Sequence, residues 1–140
     1  MKKMSWPFFM EIEVRFRDLD AMGHVNNAVY FTYIEIARTE YYTHLVNIQK
    51  LSDIDFILAS ASCSFKSAIS MGETVIVYVK PVNISGSRWT FMYELREKIS
   101  GRLIAKAETV QVAFDYKKHE KKIIDDMLKQ KLLSEIEKSS

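Results

Sequence analysis

A short stretch near the N-terminus gathers the side chains of this chain that are best suited to chemistry. It consists of Arg17-Asp18-Leu19-Asp20 and then Gly23-His24-Val25-Asn26-Asn27, and a helical pattern begins directly after it. Carboxylates beside the free backbone amides of a helix N-terminus can act as a base or nucleophile while the amides stabilise an oxyanion. The same residues also fit a structural role, since Asp and Asn commonly accept loop amides and cap helices.

Signatures of several other enzyme classes are missing from the sequence. There is no G-x-S-x-G elbow, no Walker loop and no H-E-x-x-H pair. The spacing of His24, His44 and His119 is not that of metal ligands. The acidic pair does not begin a calcium loop, because Met22 and Val29 stand where further ligands would be needed. We therefore expect no metal ion.

Composition and charge limit the class of protein. With 140 residues, of which 48% are hydrophobic and 27% charged, the chain has single-domain size and can bury a core. A net charge of +2 does not favour nucleic-acid binding. The single cysteine excludes an internal disulfide and fits a reducing compartment. The N-terminal apolar run is too short for a signal peptide and no stretch would span a membrane, so we expect a soluble cytoplasmic protein.

The first half of the chain predicts a strand, a loop and a long helix. Apolar and charged residues alternate from Met10 to Arg17, as in a half-buried strand with Phe16 on its inner face. After the loop, Asn26 or Asn27 can cap a helix. This helix has further apolar residues off its main stripe, which predicts that it is enclosed on more than one side. The main stripe comprises Tyr30, Tyr33, Ile34, Ala37, Tyr41 and Leu45, and the residues off it are Val29, Phe31 and Ile36.

The second half predicts four strands and a terminal helix. Residues 59–66, 73–82, 89–95 and 103–114 have strand-like composition or alternation. The apolar phase of the last strand shifts near Val110, which predicts a bulge or burial on both faces. One antiparallel sheet curled around one central helix accommodates the whole pattern. The terminal helix is expected from Lys117 onward, with an apolar stripe of Ile123, Ile124, Met127, Leu128, Leu132 and Ile136.

The segment RDLDAMGHVNNAVYFTYIEIARTEYY, residues 17–42, resembles the signature of the 4-hydroxybenzoyl-CoA thioesterase family of hotdog-fold proteins. The matched features are the D-x-D-x-x-G loop, the H-V-N-N run and the helix from Phe31 to Arg38. The segment is similar to that of the Tol–Pal-associated and long-chain acyl-CoA thioesterases within this family. The resemblance implies an α+β hotdog fold in a single domain over residues 1–140. That fold is a curved antiparallel sheet of about five strands wrapped around one long helix, plus a C-terminal helix.

The resemblance also implies a function, the hydrolysis of an acyl-CoA thioester to free acid and coenzyme A without a cofactor. The family's catalytic aspartate matches Asp20, which either attacks the carbonyl or deprotonates water. Its oxyanion donor, a backbone amide at the helix start, matches Asn27. Some members have a histidine at that position, so the resemblance does not extend to a side-chain proton relay here. Coenzyme A thiolate leaves readily, so a carboxylate and an oxyanion hole suffice without a triad.

Substrate binding is assigned less directly. His24 and Asn26 lie in the signature loop and are candidate substrate contacts, although His24 also fits a structural hydrogen bond. Coenzyme A carries phosphates and needs cations. Arg88 opens a strand where the family places nucleotide contacts and is the main candidate, ahead of Lys66 and Lys106.

Other polar residues near the signature have simpler interpretations. Asp18 is expected to support the loop, with Arg15 or Arg17 nearby. Glu35 and Arg38 are three residues apart on the helix and are expected to form a local pair, although a second hotdog lineage uses a helix glutamate as its catalyst. Cys63 is expected to be a small core residue. The family resemblance further implies a homo-oligomer joined through sheet edges, with the active site between two protomers.

Three alternatives use the same fold. A thioesterase acting on acyl-carrier protein would need a basic docking face, which the C-terminal lysines could supply although they also fit a plain amphipathic helix. A non-catalytic acyl-CoA-binding hotdog protein would not need Asp20. A hotdog dehydratase needs a paired Asp and His, and the sequence does not assemble one.

Overall fold

One antiparallel sheet curls around a long helix in the computed structural model, which describes residues 5–139. The first four residues, part of the N-terminal run judged too short for a signal peptide, lie outside the described residues. The sheet order is β1-β3-β4-β5-β2, and β6 pairs with β5. The elements are β1 Phe8–Glu13, α1 Asn27–Val46, β2 Phe56–Phe65, β3 Thr74–Ser85, β4 Arg88–Glu97, β5 Leu103–Asp115, β6 Glu120–Lys121 and α2 Asp126–Lys138.

The core lies between α1 and the inner face of the sheet. Strand side chains alternate between the two faces, so every second residue is buried in β4 and in β3 as far as Pro81. Tyr41 of α1 packs against Phe91 of β4, and Tyr42 stacks on Trp89 with their ring centroids 6.0 Å apart. The expected hotdog architecture is therefore confirmed. The buried strand residues at its centre are Val75, Val77, Val79, Trp89, Phe91, Tyr93 and Leu95.

The predicted stripe of α1 is confirmed, because all six of its residues are buried. The expectation of an enclosed helix is wrong for the described chain. Phe31 and Ile36 are 39% and 40% exposed, since the sheet covers only one side of α1. Arg38, whose charge gave no reason to expect burial, is only 7% exposed.

The first strand differs from its prediction at both ends. It begins at Phe8, two residues earlier than expected, and ends at Glu13. Phe16 was placed on the inner face, but it lies in a short 3₁₀ turn and is 81% exposed. The turn forms because the Asp18 carboxylate accepts the Arg15 backbone N–H at 2.9 Å, a contact that alternation does not reveal.

The C-terminal segment is helical over a shorter range than expected. Residues 120–121 form β6, and the helix begins only at Asp126, where the Asp125 side chain caps it by accepting the Leu128 N–H at 2.8 Å. Ile123 and Met127, predicted on the apolar stripe, are 73% and 56% exposed. The buried members of that stripe are Ile124, Leu128 and Leu132.

Strand β2 lies at one edge of the sheet and is only partly covered. The irregularity expected near Val110 is present, but the extra residue is on β2, where the register with β5 shifts between Leu58 and Ser60. Residues 59–62 of β2 are exposed. None of the helices among residues 5–139 has the length and apolar character needed to cross a membrane.

Candidate active site

The loop before α1 holds the Asp20 carboxylate in a defined position. Its Oδ1 atom accepts the Met22 N–H at 2.9 Å and the His24 N–H at 3.2 Å. The Asp20 N–H donates to the His24 carbonyl at 2.7 Å, and the Gly23 N–H donates to the Asp20 carbonyl at 3.1 Å. Gly23 has a φ of 83°, which other residues rarely adopt. No residue in the described range donates a hydrogen bond to Asp20 Oδ2, so this exposed oxygen is available to a substrate or water.

The neighbouring Asp18 is buried and serves the scaffold. Its carboxylate accepts the Arg15 backbone N–H, the Arg15 guanidinium at 2.9 Å and the Tyr33 hydroxyl at 2.7 Å. Burial raises the pKa of Asp18, but the hydrogen bonds from Arg15 and Tyr33 outweigh it, so the pKa lies below the ordinary value. Asp18 thus ties the loop to the inner face of α1 through Tyr33. Of the two arginines expected near Asp18, Arg15 is the one that binds its carboxylate.

The start of α1 leaves one backbone amide free beside the loop. The Asn26 side chain caps the helix by accepting the Ala28 N–H at 2.9 Å. The Asn26 N–H donates to the Asp18 carbonyl at 2.9 Å, and the Val29 N–H donates to the Asn26 carbonyl at 2.8 Å. The Asn27 N–H donates to no acceptor within residues 5–139. As the first helical N–H, it lies at the positive end of the helix dipole.

A cleft of about 320 Å³ brings these groups together with the end of β2. The loop and helix side contributes Asp20, His24 and Asn27, and the opposite side is formed by residues 65–68. Tyr30 joins the two sides, since its ring meets Phe65 edge-on at 4.9 Å and its hydroxyl donates to the Ser67 carbonyl at 3.3 Å. The complete lining is Asp20, His24, Val25, Asn27, Tyr30, Phe65, Lys66, Ser67 and Ala68.

Arg102 supports the side of the cleft formed by residues 65–68. Its guanidinium donates to the Ser67 hydroxyl at 3.0 Å, to the Ala68 carbonyl at 2.9 Å and to the Glu73 carboxylate at 2.9 Å. Hydrogen bonding from Arg102 lowers the pKa of Glu73, so this pair is ionised at neutral pH. Arg102 therefore ties the side of the cleft opposite Asp20 to Glu73.

The structure separates the sequence-predicted site residues into two groups. Asp20, His24 and Asn27 share the cleft, and Lys66, a weaker candidate, joins them. Arg88 pairs with Val112 of β5, whereas the cleft lies beside Ile104 at the other end of that strand. The eight intervening steps correspond to about 26 Å within one protomer.

Two other candidates are placed away from the cleft lining. Lys106 lies on β5 opposite Ser64 and Glu94, in a separate groove. Asn26 adjoins the cleft, but its side-chain oxygen is used by the helix cap.

Apart from Lys66, sequence reasoning missed the cleft residues that come from the end of β2 and from inside the helix. Tyr30 and Tyr33 were identified as core positions, and their periodicity carries no signal that their hydroxyls bond Ser67 and Asp18. Phe65 and Ala68 are far from the loop in sequence and have ordinary strand and turn composition. No three His, Cys, Asp or Glu side chains within the described chain gather in a way that could hold a metal ion.

Comparison with known proteins gives consistent matches. Residues 14–132 match the Thioesterase-like superfamily. The Bacillus subtilis protein YsmA, which is uncharacterised, is 31% identical over 99 residues, covering 71% of this chain and 67% of YsmA.

Solved structures with the same architecture include two thioesterases. A Thermus thermophilus thioesterase in complex with coenzyme A and Zn has a TM-score of 0.84 and 27% identity, covering 93% of this chain and 94% of its own. A 1,4-dihydroxy-2-naphthoyl-CoA thioesterase from Synechocystis has a TM-score of 0.77 and 23% identity, covering 90% and 95%. At that lower identity the second likeness establishes the fold alone.

Proposed function

The chain belongs to the Thioesterase-like superfamily and is a thioester hydrolase, and we propose that its substrates are acyl-CoA esters, which it cleaves to free acid and coenzyme A. The observation that carries the proposal is the cleft, where the free Oδ2 of Asp20 and the free N–H of Asn27 are on the same lining. Coenzyme A bound to the Thermus relative supports the choice of thiol. We further propose a place in the 4-hydroxybenzoyl-CoA thioesterase family, a single domain over residues 1–140 and a cytoplasmic location.

The proposed chemistry needs only groups that line the cleft. Asp20 Oδ2 either takes a proton from the attacking water or itself attacks the thioester carbonyl, in which case water then hydrolyses the mixed anhydride. In both routes the carbonyl oxygen becomes negative, and the Asn27 N–H at the helix end stabilises it. The C–S bond then breaks, and coenzyme A leaves as a thiolate that takes up a proton.

The remaining predicted contacts extend this site toward the nucleotide. His24 and Lys66 line the cleft and are proposed to contact the substrate near the thioester. The Asn26 side-chain amide is proposed as a further contact from the start of α1. Arg88 is proposed to bind phosphate across an assembly in which two β2 edges pair antiparallel. In that pairing, the β2 end that carries the partner's Phe56 lies beside Phe65 of this chain. Three strand spacings then separate the partner's Arg88 from this end of β2, about 14 Å, a span suited to the extended pantetheine arm.

Activity without added metal is the first expected result. The groups proposed for chemistry are a carboxylate and an amide, and neither needs a cation. Thiol release from medium- and long-chain acyl-CoA should keep its rate after treatment with a chelator and removal of the chelator by desalting. Loss of activity that a divalent ion restores would contradict the mechanism, and the Zn in the Thermus relative makes this control necessary.

Assembly through β2 is the second expected result. Residues 59–62 leave an exposed, uncharged edge, and unpaired edges favour pairing with another strand. Sedimentation at micromolar concentration should show a dimer or larger species. Ala61→Pro, which removes a backbone donor from the edge strand, should shift the distribution toward monomer. A monomer with full turnover would refute the shared site.

A further inference from the structure

Arg38 is a buried cation that no carboxylate within residues 5–139 neutralises at close range. Its side chain is 9% exposed, and the nearest carboxylate, Glu35, lies 3.8 Å away with 67% exposure. A charge-assisted hydrogen bond spans about 2.7–2.9 Å, so this pair is loose. Burying a guanidinium without a close partner is costly, and such a group is expected to meet a carboxylate from elsewhere.

The surroundings of Arg38 show where that carboxylate must approach. Its guanidinium lies near the Tyr93 hydroxyl, opposing the rise that burial causes in the pKa of Tyr93. The Tyr93 hydroxyl bonds Thr109 at 2.7 Å, and Thr109 bonds Gln111. All of these partners are neutral. Thr109 pairs with Ala61 on the edge strand, so the cluster lies directly inside the sheet edge.

This edge also has room for a second helix. No side chain from Ala59 to Ser64 is larger than cysteine, and all of these residues except Cys63 are exposed. The midpoint of the segment lies beside Ala61, the strand neighbour of the Arg38 cluster. Arg38 and Glu35 are also near the middle of α1, which spans residues 27–46. A two-fold axis through the middle of β2 would therefore bring the middles of the two α1 helices together.

We propose that Glu35 and Arg38 form reciprocal ion pairs between two copies of this chain, each Arg38 binding the partner's Glu35. A two-fold interface repeats every contact, so a neighbouring acid and base on one helix are self-complementary across it. The inference rests on the proposed β2 assembly and adds its partner residues. Because α1 also begins at Asn27, the same pairs fix the two clefts relative to each other.

Mixing two charge-reversed variants distinguishes pairs between chains from a pair within one chain. Glu35→Arg and Arg38→Glu should each weaken the dimer about 100-fold, because like charges then meet across the axis. An equimolar mixture should recover dimers, since the two arginines of the Glu35→Arg chain meet the two glutamates of the Arg38→Glu chain. A pair within one chain predicts no recovery, because both variants remain repulsive internally. The double reversal in one chain would restore both kinds of pair and is not informative.

The controls separate folding, position and function. Glu40→Arg reverses a second exposed acid on α1, 54% exposed, and should leave the dimer unchanged. If Arg38→Glu does not fold, Arg38→Met replaces it, because the buried cation is removed and the mixture with Glu35→Arg still forms one favourable pair. Dissociation constants come from sedimentation and heterodimers from differential tagging, and neither depends on activity. A dimeric parent with no recovery on mixing overturns the pairs, whereas recovery without thiol release leaves the pairs intact and overturns the proposed function.

Discussion

Asp20→Asn lowers kcat for acyl-CoA hydrolysis by at least about 100-fold, the lower end of what general-base work contributes. Asparagine keeps the shape of the side chain, and its oxygen still accepts the Met22 and His24 amides that order the loop. What it loses is the basic oxygen that faces the cleft. KM should change little, because the nucleotide and the acyl chain supply most of the binding.

The matched control is Asp18→Asn, which makes the same substitution two residues earlier. It should keep much more of the turnover, because Asp18 is buried and its carboxylate points to Arg15 and Tyr33. Steady-state kinetics and circular dichroism on both variants separate chemistry from folding. Unchanged kcat in a folded Asp20→Asn would contradict the mechanism and favour a non-catalytic acyl-CoA-binding protein. A dead, folded Asp18→Asn beside an active Asp20→Asn would place the catalyst two residues earlier.

Asp18→Asn lowers the free energy of unfolding by about 2 kcal/mol at neutral pH, because it replaces charged acceptors of three buried or half-buried donors. Thermal unfolding should shift by roughly 6 °C for a chain of this size. The pKa of Asp18 is lowered in the folded state, so its stabilisation is present above the unfolded pKa of about 4 and is lost as the pH falls through the folded value. The gap between parent and variant should therefore narrow below about pH 4.

Tyr33→Phe provides the check on that explanation. It removes only the 2.7 Å hydrogen bond to Asp18 and should cost about 1 kcal/mol, since the Arg15 contacts remain. A gap between Asp18→Asn and the parent that stays constant down to pH 3 would show that the carboxylate charge is not what stabilises the loop.

The sequence predicted the parts of the fold that depend on local periodicity. The stripe on α1 and the alternation from Trp89 to Leu95 reflect one buried face in each element, and a single sequence carries that information. Boundaries were less accurate where a side chain ends an element. Arg15 and Asp18 close a turn that removes Phe16 from β1, and the Asp125 cap delays α2.

The proximity of candidate site residues was predictable only on the side that is contiguous in sequence. Asp20, His24 and Asn27 lie within eight residues, so their proximity follows from the loop itself. Lys66 and Ser67 meet them because β2 ends beside the loop, and Arg102 supports that wall from a third strand. Such contacts depend on the sheet order β1-β3-β4-β5-β2, which alternation does not specify. The burial of Arg38 was missed for the same reason.

Thiol release from a panel of acyl-CoA esters tests the central claim most directly. The panel should include short, medium and long aliphatic chains and aromatic acyl groups, with an acyl-carrier-protein thioester of a matched chain. The account predicts multiple turnovers by the parent protein on at least one coenzyme A ester, and a rate at least about 100-fold lower for Asp20→Asn on that ester. Thioester binding without turnover across the panel, or turnover confined to the carrier-protein ester, would contradict it.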